Sequence, residues 1–322
     1  MILIHDIRLP LSAGEPQAYE KALRLARVPR GKVSHLGIAR LSVDARHGQP
    51  KLVYTVAVTL KEEGEEAACA GASRSVTVRG KTDLSVQNGT LPLTHRPVVC
   101  GLGPAGLFAA LLLARQGYRP IVLERGPALD ERVKAVEHFS ATGELDENAN
   151  IQFGEGGAGT FSDGKLNTGT KNPAHRLILE TFVEAGAPRD ILWDAKPHIG
   201  SDILPAVVTS ISQRIEQLGG TVRYRTKLVD IHTDTSGTIV GIDIQSSHDA
   251  TSESINTKHL ILACGHSARD VFEVLKTHDV ALAQKTFAMG VRIEHPQRDI
   301  DRAQYGPAAG HPALGAAPYK LV

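Results

Sequence analysis

The chain has 322 residues, 42% hydrophobic and 22% charged, values that suit a folded protein of roughly two domains and exclude a disordered one. Lys and Arg number 36 against 35 Asp and Glu, a net charge of +1, so broad binding to nucleic acid or to an anionic membrane is not expected. Cys69, Cys100 and Cys264 form no CxxC pair, which argues against a zinc ribbon, a redox dithiol and a disulfide scaffold; no metal site is expected. The longest apolar run, residues 107–114, is far short of the roughly 18 residues that span a bilayer. Residues 1–10 lack a basic start and a long apolar core, so no signal peptide is expected. The expectation is a soluble, reduced, cytoplasmic protein.

The first 92 residues read as a small α+β domain. Residues 1–9 are apolar-rich and end at Pro10, which suits a strand. Residues 15–27 place Ala18, Ala22, Leu23, Leu25 and Ala26 at helical spacing, and Pro29-Arg30-Gly31 stops the helix. Residues 36–43 suit a second strand. Residues 52–60 alternate Leu52, Tyr54, Val56 and Val58 against Val53, Thr55, Ala57 and Thr59, a strand with one face better buried. This order suggests a ferredoxin-like unit. Residues 62–71 read as exposed loop or weak helix, and residues 88–97, with Gly89, Pro92 and Pro97, as a linker.

A strand over 96–100, an apolar helix over 104–116 and a strand over 120–124 make a βαβ unit, which implies a parallel sheet. Helices are expected over 174–185, 204–218 and 268–277. Strands are expected over 221–225, 228–233 and 238–245, followed by a polar loop or hairpin. A buried-type strand over 259–263 ends at Gly265.

Between the first strand and its helix stands Gly101-Leu102-Gly103-Pro104-Ala105-Gly106. Glycine-rich turns are common, but this one follows a strand and opens a helix, the context of a dinucleotide site. Gly101 permits the turn, Gly103 lets backbone approach a pyrophosphate, and Gly106 lets helix and strand pack closely. The helix start offers N–H groups and partial positive charge to phosphate. Glu124 ends the next strand, eighteen residues after Gly106, where an acid binds a ribose hydroxyl pair. An acid there repels a 2′-phosphate, which disfavours NADP and leaves FAD and NAD. Arg132, after that strand, is a candidate phosphate contact.

Glu124-Arg125-Gly126 resembles the end of a flavoprotein first unit. Residues 258–265, an apolar strand ending Ala263-Cys264-Gly265, resemble a second flavoprotein motif in which Thr is usual at Cys264. Together these residues resemble the glutathione-reductase-type FAD fold. A narrower likeness comes from the run at 150–167, which contains Phe153-Gly154-Glu155-Gly156-Gly157-Ala158-Gly159-Thr160, from Lys196-Pro197-His198-Ile199-Gly200-Ser201-Asp202 and from residues 290–297. These resemble a bacterial family of uncharacterised FAD-dependent dehydrogenases that carry a small α+β domain before the FAD unit.

The resemblance implies an α/β protein with a glutathione-reductase-type, Rossmann-like FAD domain, a small N-terminal α+β domain and a partial substrate domain. The expected boundaries are 1–92 for the N-terminal domain, 93–142 with 207–278 for the FAD domain, and 143–206 with 279–322 for the substrate side. The implied function is hydride transfer through FAD to or from an unassigned small molecule. The implied cofactor contacts are Gly101, Gly103, Pro104, Ala105, Gly106, Glu124, Arg125, Arg132, Gly156, Gly157, Ala158, Gly159, Thr160, Leu228, Ala263 and Gly265.

For chemistry, Lys165 is a candidate to stabilise negative charge on reduced flavin, and His198 and Asp202 are candidate substrate-side acid–base groups. His266 and the Arg292–Glu294 pair are weaker candidates, because histidines and ion pairs on strands are more often structural. Asp163 reads as a turn residue beside Gly164. No second GxGxxG follows a strand, so a nicotinamide would have to dock transiently. No late Gly-Asp follows Gly290; in the resembled fold that acid contacts the ribityl-phosphate region, so the chain alone is expected to hold FAD weakly or not at all. The alternatives are a non-catalytic FAD-binding protein or truncated fragment, and an NAD-linked dehydrogenase without flavin.

Overall fold

The computed structural model describes the chain except residues 47, 63, 70–72, 81–83, 162–163, 167–169, 171, 288, 292 and 320–322, and the side chain of residue 68. The expectations for Asp163 and Arg292 therefore lie outside the described residues. The protein is a mixed α/β protein with two compact units. One comprises residues 1–83, 190–197 and 286–322, and the other 84–189 and 198–285.

The first unit is built on β1 (Ile2–Leu9), α1 (Glu15–Ala26), β2 (Val33–Asp44), β3 (Lys51–Leu60), α2 (Glu65–Cys69) and β4 (Val76–Val78). The antiparallel sheet runs β2-β3-β1-β4, the ferredoxin-like βαββαβ order. Leu52, Tyr54, Val56, Val58 and Leu60 of β3 all face the core, as their alternation requires. β1 breaks its own alternation. Ile2, Ile4 and Ile7 are all buried because the register shifts between Ile4 and Ile7, with Asp6 at φ 62°. One extra residue at a bulge resets which face the following side chains take. Ala18, Ala22, Leu23 and Ala26 bring α1 onto this core.

Residues 190–197 join the unit through β2, where Leu41 donates its N–H to Trp193 O at 2.7 Å and accepts Ala195 N–H at 2.9 Å. Residues 286–322, expected on the substrate side, cluster with this unit too. They include α8 (Gln297–Tyr305), and Tyr305, Leu314 and Ala317 pack on Leu11, Val43 and Ala45. Glu294 lies in no strand.

The second unit contains a parallel sheet of β5 (Val98–Cys100), β6 (Ile121–Leu123), β7 (Thr221–Arg223) and β11 (Leu260–Leu262), ordered β11-β5-β6-β7. One face carries α3 (Pro104–Arg115) and α6 (Leu204–Gln217), which touch each other and bury Leu107, Ala110, Leu111, Val207, Ile211 and Ile215. The other face is covered by the antiparallel sheet of β8 (Thr226–Thr233), β9 (Ile239–Ser246) and β10 (Ser252–Asn256) with α7 (Arg269–Thr277). Leu228, Ile231, Ile242, Ile244, Ala268 and Val271 pack there on Val98, Cys100 and Leu123. α4 (Leu129–Thr142) and α5 (Ala174–Glu184) lie between β6 and β7 in the chain.

Further elements differ from the sequence reading. β4, α4 and α8 have no counterpart in it. β11 was expected to be buried, yet Ile261 and Leu262 are 37% and 38% exposed. Among the described residues it is an edge strand, paired on one side only, with β5.

Candidate functional site

The turn from β5 into α3 is shaped by its glycines. Gly101 has φ +103°, and a Cβ there would stand 2.4 Å from Ala263 O. A Cβ on Gly106 would stand 1.8 Å from Gly101 O. Both positions therefore exclude any side chain. Gly103 is the residue before α3 and Pro104 its first residue, where a missing N–H costs nothing and φ is already helical. Pro104 and Ala105 are exposed at this end. The first N–H groups of a helix have no partner within it and attract anions.

Glu124 follows β6 and is only 4% exposed. Its Oε2 accepts the Leu102 N–H at 2.9 Å. Its Oε1 accepts Gly126 N–H at 3.0 Å and Gly154 N–H at 2.9 Å. One carboxylate thus ties together the first glycine turn, the chain after β6 and the second glycine run. A carboxylate offers about four lone-pair sites, and three are in use.

The second glycine run lies directly on the first. Gly156 N–H donates to Leu102 O at 2.9 Å. A Cβ on Gly157, at φ +66°, would stand 2.9 Å from the Gly103 Cα. The 3-10 turn Gly157–Phe161 begins at this contact. Gly157 and Thr160 are buried and Ala158 is exposed within it.

Beside Glu124 is a narrow cleft of about 30 Å³ lined by Gly101, Glu124, Arg125, Phe153, Leu228, Cys100 and Cys264, among others. That is about one water's share of liquid volume. Arg125 covers it, with its guanidinium 4.3 Å from the centre of the Phe153 ring and Nη2 2.8 Å from both carboxylate oxygens of Asp270. Ala263 and Gly265 close the β11 side, where Ala263 N–H donates to Cys100 O at 2.8 Å. Burial pushes the Cys100 thiol up to about 12 and raises Cys264 as well, so neither is a ready thiolate.

Arg132 does not take the phosphate position expected of it. It is fully buried, and its guanidinium donates to the carbonyls of Asn150 at 3.1 Å, Ile151 at 3.0 Å and Glu155 at 2.5 Å. Burial pulls it down to about 10, still charged at neutral pH. Its work is to hold the loop that carries Phe153 and Gly154.

The three candidates for chemistry lie together in the second unit. Lys165 pairs with His198 in an antiparallel bridge, and Ile199 N–H donates to Gly164 O at 3.0 Å. Asp202 follows, with Oδ1 2.5 Å from where a Gly200 Cβ would stand. All three side chains are exposed. A cavity of about 640 Å³ opens at the end of the Gly157–Phe161 turn, lined by Val133, Val136, Glu137, Thr160, Phe161, Ser201 and others. Its size is that of a small-molecule site. His266 is exposed beyond Gly265. Phe153 and Asp270 are site residues that the sequence does not single out. The one signal for Phe153 is its place beside the glycine run at 154–159, which itself suits backbone approach to a flavin or its pyrophosphate.

A family model described as "FAD-dependent protein, C-terminal domain-like" matches residues 286–322, and a domain of unknown function (DUF8436) matches residues 1–59. An uncharacterised protein of Clostridium beijerinckii is 40% identical over 322 residues, which cover 99% of this chain and 59% of that protein. The chain therefore spans 59% of the length of this relative. Among solved structures, the chain is similar to Thermovibrio ammonificans THI4, with a TM-score of 0.40, 18% identity and coverage of 58% of this chain and 64% of that one. It is also similar to the glycerol-3-phosphate dehydrogenase of Bacillus halodurans, solved with FAD, with a TM-score of 0.36, 13% identity and coverage of 56% and 36%. Among the described residues, no helix is long and apolar enough to cross a membrane.

Proposed function

We propose that this chain binds FAD and serves a flavin-dependent oxidoreductase of unassigned substrate. The observation that carries this reading is the parallel β5-α3-β6 unit with Gly101, Gly103 and Gly106 at its turn and the Glu124 carboxylate at the end of β6. The family model over residues 286–322 supports FAD over NAD.

The residues present fit the AMP half of the cofactor. Glu124 keeps one lone-pair site beyond its three N–H partners for a ribose hydroxyl, and the start of α3 offers N–H groups to the pyrophosphate. Gly156 and Gly157 would stand over that pyrophosphate from the opposite side. The cleft is too small for adenosine with Phe153 and Arg125 in place, so binding requires these two side chains to move. Leu228, Ala263 and Gly265 would then line the adenosine.

Bound FAD supplies hydride transfer through its isoalloxazine. The chain's own residues would bind, orient and move protons around it. The cavity at Thr160 and Phe161 is the proposed substrate side, with the Lys165 ammonium as counter-charge and His198 and Asp202 as proton-handling groups. An exchangeable nicotinamide would dock there only transiently. The test is absorption of the purified protein near about 450 nm, the flavin band, followed by photoreduction and reoxidation with a panel of acceptors. A colourless protein that takes up no flavin on incubation refutes the reading.

A further inference from the structure

The outward face of the β8–β9 hairpin collects four ligand-type side chains from three parts of the second unit. Asp230 and His232 alternate on β8 and share a face, while Ile231 between them is buried. Asp243 of β9 stands directly opposite Asp230 in the strand register. His278 follows α7 and reaches the same place. His232 Nε2 lies 2.9 Å from Asp243 Oδ1, and His278 Nε2 lies 2.6 Å from Asp230 Oδ1. The ligand atoms of Asp230, His232 and Asp243 all fall within 4.8 Å of one another.

Two carboxylates opposed across antiparallel strands repel each other. Two separate His–Asp surface pairs would each relieve one of them and contribute little, about 0–1 kcal/mol apiece. The arrangement goes further than that, because His232 and both carboxylates converge on one point, their ligand atoms within 4.8 Å of one another, while His278 holds the Asp230 carboxylate. Outer hydrogen bonds also orient the carboxylates. Ser254 Oγ donates to Asp243 Oδ1 at 2.6 Å, and Ile231 N–H donates to Asp230 Oδ1 at 2.8 Å. Such supporting bonds are the usual company of metal ligands.

We propose that Asp230, His232 and Asp243 bind one divalent transition metal ion, Zn²⁺ or a cation of like chemistry, with His278 holding the Asp230 carboxylate. An imidazole nitrogen and two carboxylate oxygens suit Zn²⁺, which takes such ligands tetrahedrally at about 2.0–2.2 Å, with water in the fourth place. Ca²⁺ and Mg²⁺ prefer oxygen-only sets. The bound ion would tie β8 to β9 and, through His278, to the end of α7, the helix whose Asp270 holds Arg125 over the cleft. This site is independent of the flavin reading.

The test is titration of the full, chelator-treated chain with Co²⁺. The expected result is one equivalent bound, with the intense visible bands of tetrahedral cobalt, and displacement by Zn²⁺. In the His232→Ala/Asp243→Ala double variant the affinity should fall about tenfold or more and the bands should vanish, while His35→Ala, on the other unit, should titrate like the parent. Circular dichroism checks folding, and Asp243→Asn with His232→Gln replaces the alanine pair if that variant does not fold. No saturable equivalent in the parent chain, or unchanged bands and affinity in the double variant, overturns the proposal.

Discussion

The Glu124 carboxylate accepts the backbone N–H of Gly154 at 2.9 Å, and so joins the two glycine-rich segments through one buried side chain. The same carboxylate holds Leu102 and Gly126. Replacement by Gln keeps the size but turns an N–H donor toward backbone N–H donors. Each donor left without an acceptor costs about 1–3 kcal/mol. Glu124→Gln should therefore lower stability by a few kcal/mol in urea unfolding and weaken FAD binding together. Parent-like values of both would refute the assignment.

Phe153 and Arg125 close the cleft beside Glu124. Removing the Phe153 ring opens space next to the carboxylate without touching any of its hydrogen bonds. Phe153→Ala should speed ADP association in stopped-flow measurements. A slower association would mean that the ring receives the adenine instead of blocking it.

The glycines of the site should not respond alike to alanine. A Cβ on Gly106 meets the Gly101 carbonyl, whereas a Cβ on Gly159 meets nothing within 4 Å. Overpacking against backbone costs about 1–3 kcal/mol or more. Thermal melts should show Gly106→Ala strongly destabilised and Gly159→Ala near the parent.

The βαβ unit was legible because periodicity, the three glycines and Glu124 are local signals, and local geometry dictates such a turn. Phe153 and Asp270 were not legible, because their place over the cleft depends on Arg125, which bridges segments far apart in the chain. Arg132 was misread for a similar reason. Its position after β6 suits a phosphate contact, but its side chain turns into the loop at 150–155. The exposure of β11 follows from its edge position, which its apolar sequence does not encode. β4 has three residues, too few for an alternation to stand out.

Alkaline pH should unfold the protein. Burial raises Cys100 to about 12 and Tyr19 to about 12, the latter helped by Glu15. Burial also raises Tyr54 and Tyr224, with the charges of Glu15 and Glu155 adding respectively. The unfolded chain ionises these groups first, near 9 for the thiol and 10 for the phenols. Between those values and about 12 the folded state binds more protons, so stability falls as pH rises. Their contribution is complete below pH 9. Urea midpoints at pH 8 and pH 11 should differ, with the lower midpoint at pH 11; equal midpoints would contradict the burial of these groups.

The most direct measurement is equilibrium titration of the full chain with FAD, followed by fluorescence quenching, with ADP and NAD⁺ as competitors. The expected result is saturable binding of one FAD, displaced by ADP, weakened about tenfold or more in Glu124→Gln through lost charge-assisted hydrogen bonds, and tighter than NAD⁺. Absence of saturable binding, NAD⁺ binding as tight as FAD, or FAD binding indifferent to both ADP and Glu124 would contradict a flavin site built on β5, α3 and β6.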